Sequence, residues 1–251
     1  MGSETSQVCF YGVGVGPGDP ELLTLKAYRV IREADVVAYL MNDRGISQAQ
    51  TIAQAALDDG KEHQQYLPIQ IPMTTTRGVV NNVYDQASAD IQTALSQGKS
   101  VAFLCEGDPL FFGSFAYLLE RIEGKYPCQV IPGVTSISAG SAALGLPLTM
   151  LKESLAVVSG RHTDDYISQI LSNVDTVVIM KAGLARERLM RLIEEAGRTD
   201  DANYLQYISR DNEYVTTDIT TLDKEPGPYF SLFILTRTPL ACRGQNDNVD
   251  E

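Results

Sequence analysis

Apolar, β-branched-rich runs alternate with helix-period patterns along nearly the whole chain. Residues 8–15, 35–40, 100–105, 128–131, 155–159, 176–180, 203–208 and 229–235 read as strands. Between them, apolar residues recur every three or four positions. In residues 20–34, Leu22, Leu23, Ala27, Val30 and Ile31 make one core-facing stripe, and Asp19-Pro20 is a helix start: a carboxylate acceptor for free N–H groups, with proline at the first helical position. This alternation predicts an α/β fold. A charged stretch with Gly124 and Pro127 interrupts it at 120–127. The expected division is therefore an α/β domain over 1–122, a second over 123–240 and a polar tail over 241–251. The first domain should carry a mostly parallel sheet. The second ends in Val215, Thr216, Thr217, Ile219 and Thr220 before the strand at 229–235, which suggests antiparallel pairing and hence a mixed sheet.

Composition narrows the partners. At 251 residues with 44% hydrophobic content, the chain can bury one large core or two small ones, which excludes disorder and a disulfide-stapled miniprotein. Thirty-two acidic residues against 20 basic ones give a net charge of −12, so no global positive field draws the protein to nucleic acid or anionic lipid. A local basic pocket is compatible with that shell. Cys9, Cys105, Cys128 and Cys242 have no CxxC or zinc-like spacing and read as free, mostly buried thiols. Residues 1–7 are polar, and no apolar run reaches the roughly 18 residues a membrane span needs, so a cytoplasmic protein is expected. His63 and His162 are isolated from each other and make no metal site.

Four strand ends carry candidate chemistry. The first is the glycine-rich stretch from Tyr11 through Gly14, Gly16 and Pro17 to Pro20, placed where a small ligand meets the carboxyl edge of a sheet. The dinucleotide pattern GxGxxG fails there, because its last position falls on Pro17 counted from Gly12 and on Asp19 counted from Gly14. That disfavours a nicotinamide enzyme; a tight turn with positive φ and no ligand is the structural alternative for the glycines. The second is GDPLFFGS at 107–114, preceded by Glu106. Its carboxylates suit hydroxyl or ammonium groups, while an Asp-Pro turn capping a helix near Gly113 is the structural alternative. The third is IPGVTS at 131–136, with Thr135 and Ser136 as ligand contacts or plain helix caps. The fourth is VVIMKAG at 177–183, in which Met180 alone would be core.

In this order, with GVGVGPGDPELLTLKA at 12–27, the four motifs resemble the tetrapyrrole methylase family across roughly residues 8–237. The resemblance implies two α/β domains, a cofactor cleft between them and S-adenosylmethionine as methyl donor. The stretches at 19–27, 72–75, 104–118 and 131–136 look most like the members that methylate C-20 of precorrin-2 or of cobalt-factor II in cobalamin biosynthesis. A sister corrinoid methylase acting at another ring position and a non-catalytic tetrapyrrole-binding protein stand as alternatives.

By the same resemblance, Glu106, Gly107, Asp108, Phe111, Thr135, Ser136, Met180, Tyr207 and Ile208 would contact the donor. Tyr11, Gly14, Gly16, Pro17, Arg44, Arg77, Arg161, His162 and Lys181 would face the tetrapyrrole, with Arg210 and Phe112 as further candidates. An early corrinoid precursor is a flat ring edged with carboxylates, so its pocket needs arginine or lysine and an apolar floor. Methyl transfer to an electron-rich ring carbon rests mainly on positioning. No general base is assigned; Asp108, Glu106 and Tyr11 stay open. Any cobalt would arrive inside the substrate. A homodimer is expected from the family.

Overall fold

The computed structural model describes residues 8–72 and 77–237, with Arg77 described in its backbone alone. Cys242, the tail at 241–251, most of the stretch at 72–75 and the Arg77 side chain lie outside the described residues. The chain divides into two compact units, Met1–Ser136 and Ile137–Glu251.

The first unit is built on five parallel strands: β1 (Phe10–Gly14), β2 (Val36–Met41), β3 (Gln65–Gln70), β4 (Val101–Cys105) and β5 (Cys128–Ile131). Their order is β3-β2-β4-β1-β5. Helices α1 (Leu25–Glu33), α2 (Gln48–Ile52) and α3 (Gln54–Asp58) cover one face around Val13, Val37 and Leu104. On the other face, α4 (Arg77–Ser96) and α5 (Phe115–Ile122) pack around Phe10, Phe103 and Phe115. Coverage on both faces explains why β4 reads as an unbroken apolar run instead of an alternating one.

Three expectations change. The boundary expected at 122/123 moves to 136/137, because β5 hydrogen-bonds to β1 and so belongs to the first sheet. The helix expected over 20–34 is two pieces: a 3-10 turn at Pro20–Leu22 capped by Asp19, then α1, which restarts at its own cap, Thr24. Between them Leu23 is extended (φ −63°, ψ 129°), so Ala27 and Ile31 are the buried part of the expected stripe. Strand β3 lies outside the expected strands. Its Pro68 removes a ladder donor, which only an edge position tolerates, and its burial is too slight to leave an alternating pattern.

The second unit contains α6 (Ser136–Leu144) from its second residue onward, then β6 (Leu155–Ser159), α7 (Asp164–Asn173), β7 (Thr176–Met180) and α8 (Arg186–Glu195). Strands β8 (Ala202–Gln206), β9 (Tyr214–Thr216) and β10 (Ser231–Thr236) complete it. The order is β6-β7-β10-β8-β9, with β6 and β7 parallel and β10 antiparallel to both neighbours. The sheet is mixed, as the sequence pattern implies. Helices α7 and α8 cover the core around Val177, Ile179 and Phe233, and Gly140 of α6 faces Leu205, Leu232 and Ile234.

The same side-chain staple starts a parallel strand pair in each unit. Asp35, just before β2, accepts from the N–H and hydroxyl of Ser100 at 2.8 and 2.7 Å and donates its own N–H to that hydroxyl at 3.0 Å. Asp175, just before β7, does the same with Ser154 at 2.8, 2.7 and 3.1 Å. Burial works against the Asp35 charge, but Lys61 and the Ser100 donors outweigh it and hold its carboxyl below the usual range. The Ser154 donors do the same for Asp175. Carboxyls lowered in the folded state contribute stability above their unfolded pKa, near 4, and lose it as pH falls through the lower folded value. Asp35→Asn is therefore expected to cost about 1 kcal/mol at neutral pH. It should also flatten the loss of stability on acidification, and urea unfolding from pH 6 to 2 reads both; a slope equal to wild type contradicts the assignment.

Candidate active site

Because all five strands of the first sheet are parallel, their carboxyl ends share one edge. Neighbouring strands β1 and β4 send their chains to opposite faces of the sheet, which opens a crevice at that edge. Gly14 ends β1 there and Gly16 and Pro17 follow it, Glu106 to Phe112 follow β4, and Thr135 and Ser136 follow β5.

Backbone contact holds these three loops together. Val15 N–H donates to Cys105 O at 2.9 Å, and Gly16 and Gly107 exchange hydrogen bonds at 2.8 and 3.3 Å. A Cβ on Gly133 would lie 2.1 Å from Gly107 O and 2.8 Å from the Gly14 backbone, so only hydrogen fits where the strand ends meet. Gly107 differs. With φ +67° its missing side chain leaves open space, the nearest atom to a Cβ being Val134 O at 3.9 Å, so its backbone is open to a ligand.

Asp108 turns out to be a brace. One carboxylate oxygen accepts from Leu110 N–H at 2.9 Å and the other from Gly133 N–H at 3.1 Å, tying the β4 loop to the β5 loop. It caps no helix: α5 begins at Phe115, and the side chain of its N-cap, Ser114, makes no capping bond. Phe111 is half-buried, and Phe112 is exposed with φ 55°, their rings edge-on at 5.2 Å.

Tyr11, expected at this edge, is not brought to it, whereas Arg44 follows β2 there. Tyr11 lies inside β1, and alternation along the strand packs it with Val13 and Val15 against the α1-side core. Arg44 is exposed on a turn after β2, where Asn42 Oδ1 accepts from the N–H groups of Arg44 and Ile46 at 2.9 and 3.0 Å.

In the second unit, the ends of β6, β7 and β8 lie at one edge with the start of β10. Arg161 and His162, Lys181, and Tyr207 and Ile208 follow those three strands in turn. Ile208 is buried, Met180, Lys181 and Tyr207 are half-buried, and Arg161 and His162 are exposed. Tyr229 and Phe230, absent from the expected set, sit at the same edge. The Lys181 ammonium is 6.0 Å from the Tyr229 ring and the Arg210 guanidinium 4.1 Å from that of Phe230, a cation over an aromatic face in each case. The signal for them is the aromatic pair that opens the last strand after Pro226 and Pro228.

Charge is concentrated at this edge. Burial pushes the Lys181 ammonium below the ordinary lysine range, and the like charge of Arg161 lowers it further. Two neighbouring cations suit a ligand with several carboxylates. Strain concentrates here too: of the five non-glycine residues with positive φ among the described residues, Lys181 (56°), Tyr207 (53°) and Ser209 (62°) lie here and Phe112 at the first unit's edge. Left-handed backbone in such residues is costly and clusters at functional sites, which marks the two edges as candidate sites.

Comparison with known proteins accords with this arrangement. A family profile described as Tetrapyrrole (Corrin/Porphyrin) Methylases matches residues 9–223. The chain is 37% identical over 235 residues to the cobalamin biosynthesis protein CobIJ of Mycobacterium tuberculosis; the match covers 90% of this chain and 45% of that protein, so the chain spans about half its length. It is 33% identical to the precorrin-2 C(20)-methyltransferase of a Sinorhizobium species, over 89% of this chain and 93% of that one. The uroporphyrin-III C-methyl transferase of Thermus thermophilus, solved with S-adenyl homocysteine, superposes with a TM-score of 0.63 over 90% of this chain and 96% of that one at 24% identity, a likeness of fold. With glycine-lined strand ends in a parallel sheet, a mixed second sheet and a profile match over most of its length, this chain belongs to the tetrapyrrole (corrin/porphyrin) methylase family.

Proposed function

We propose that the chain is an S-adenosylmethionine-dependent C-methyltransferase that methylates C-20 of precorrin-2 or cobalt-factor II in cobalamin biosynthesis. The observation that carries this reading is the near end-to-end match with the Sinorhizobium enzyme. When bound, the donor supplies an electrophilic methyl group on a sulfonium, with a neutral thioether as leaving group.

The residues present fit such a donor. At the first unit's edge, the open backbone at Gly107 admits a ligand and Glu106 offers a carboxylate to ammonium or hydroxyl groups; at the second unit's edge, taken by itself, half-buried Met180 with Tyr207 and buried Ile208 suit an adenine. Phe111, Thr135 and Ser136 are assigned to the donor with them, while Asp108 holds the loop that presents Gly107. For the tetrapyrrole, Arg161, His162 and Lys181 bind carboxylates, and Gly14, Gly16 and Pro17 shape the first unit's contribution; the exposed Arg44 is assigned to its outer carboxylates, as is Arg77, whose side chain lies outside the described residues. These groups bind and orient, which is where methyl transfer to an electron-rich ring carbon gains most of its rate. In this reading the protein works in the cytoplasm as a homodimer. No helix among the described residues is long and apolar enough to cross a membrane.

The test is turnover under anaerobic conditions with donor labelled in its methyl carbon and either precorrin-2 or cobalt-factor II. One label per ring, placed at C-20 by NMR, with stoichiometric S-adenosylhomocysteine, is expected. A label at another carbon assigns the chain to a sister reaction, and pigment binding without turnover makes it a carrier.

A further inference from the structure

Helix α8 reaches back to the loop that follows β6. Arg188 Nη1 donates to His162 O at 3.1 Å and to Asp164 Oδ1 at 2.5 Å, and Nη2 donates to Gly160 O. One guanidinium thus ties the carbonyl before Arg161, the carbonyl after it and the carboxylate that opens α7. Arg191, one turn further along α8, donates to the second Asp164 oxygen at 2.9 Å and to Glu195 at 2.9 Å. With both oxygens engaged by guanidinium groups, the Asp164 carboxyl is held below the usual range. From the strand side, Ser159 Oγ accepts from Arg161 N–H at 3.2 Å, and Gly160 N–H donates to Met180 O at 2.7 Å. The His162 ring stands edge-on to Tyr166 at 4.7 Å.

The loop needs such holding for an electrostatic reason. Arg161 is exposed beside the half-buried Lys181, and their like charges repel. No hydrogen bond or ion pair ties down the Arg161 guanidinium among the described residues. A flexible loop would swing Arg161 away from Lys181 and lose the paired-cation geometry. Arg188 prevents this through main-chain carbonyls, leaving the Arg161 and His162 side chains available. A guanidinium fork can satisfy several fixed acceptors at once, which a lysine ammonium on a flexible stem does less well.

We propose that Arg188, seated by Asp164 and Arg191, is a positioning residue that holds the loop at 160–164 so that Arg161 and Lys181 form a paired carboxylate-binding site. The proposal rests on the assignment of Arg161 to the tetrapyrrole, and its substrate class is a polycarboxylate. Arg188 touches no substrate.

Steady-state kinetics of Arg188→Met, alone and combined with Arg161→Ala, test this on the full chain. Arg188→Met is expected to raise the KM for the tetrapyrrole about tenfold with kcat within about twofold and the donor KM unchanged. Arg188→Lys should recover part of the loss. In the Arg161→Ala background the same change should add almost nothing, a non-additivity that general loosening of the fold does not produce. Should Arg188→Met fold poorly, Asp164→Asn, which weakens the seat and keeps the fork, should move the same KM in the same direction. An equal effect in both backgrounds, or a parallel fall in kcat and donor affinity, overturns the proposal. If Arg161→Ala raises the KM while Arg188→Met and Asp164→Asn do not, the clamp alone is wrong. If Arg161→Ala leaves it unchanged, the substrate assignment fails and the clamp proposal falls with it.

Discussion

Gly133→Ala should abolish the site and cost the first unit much of its stability. The added methyl would enter backbone on two sides, 2.1 Å from Gly107 O and 2.8 Å from Gly14, where no flexible side chain can step aside. Relief requires the β1, β4 and β5 loops to separate, breaking the Gly16–Gly107 pair and the Asp108–Gly133 bond. Overpacking of this kind costs roughly 3 kcal/mol or more, on the order of 10 °C in Tm for a chain of this size. Gly107→Ala is the control. Its methyl meets open space, so the expected cost is the left-handed backbone alone, about 1–2 kcal/mol, and any loss of donor affinity beyond that reports on the ligand path. Calorimetric unfolding with donor titration separates the two variants, and a Gly133→Ala protein melting with wild type would refute the close approach of the three loops.

The second large effect concerns Lys181. Removing its charge by Lys181→Met should lower kcat/KM for the tetrapyrrole by about 10- to 100-fold, the worth of one desolvated charge-assisted hydrogen bond, with donor KM unmoved. Its pH dependence has a definite sign. Only the protonated amine binds a carboxylate, so affinity falls as pH rises through the Lys181 pKa. Burial first and Arg161 second depress that pKa, so the alkaline limb lies below the value near 10.4 of a solvated lysine. Arg161→Ala removes the like charge, and the limb should move to higher pH even as overall affinity drops. Tetrapyrrole KM measured from pH 7 to 10 in both proteins decides the matter. A limb that stays put or moves down would show that the two cations do not act on each other.

Local patterns carried most of the architecture. Strands such as β4 and β7 are continuous apolar runs because both sheet faces are covered, and at five residues they are too short to compete as helices. Where the local signal misled, a competing local cap or a tertiary pairing had overridden it. Leu23 looks helical by spacing but lies extended between two short helices, and β3 is recognisable only by its pairing with β2, since Pro68 argues against a strand reading. The candidate site shows the same split. Its loops are visible as Gly, Asp and hydroxyl residues after strands, whereas Tyr11 shares only proximity along the chain with them, because the strand turns it toward the core.

From the sequence by itself follow the α/β class, the parallel and mixed sheets, the family resemblance and the strand ends that bear chemistry. The class, the sheets and the strand ends depend on short-range periodicity and turn chemistry, and the resemblance on the order of four motifs, all of which a linear string records. Only the tertiary structure decided that β5 belongs with β1, that Asp108 braces Gly133, that Lys181 sits beside Arg161 and over the Tyr229 ring, and that Arg188 holds the Arg161 loop. Each joins residues far apart in the chain, or depends on how deeply a charge is buried. Those properties arise from packing the whole chain, and no single segment contains them.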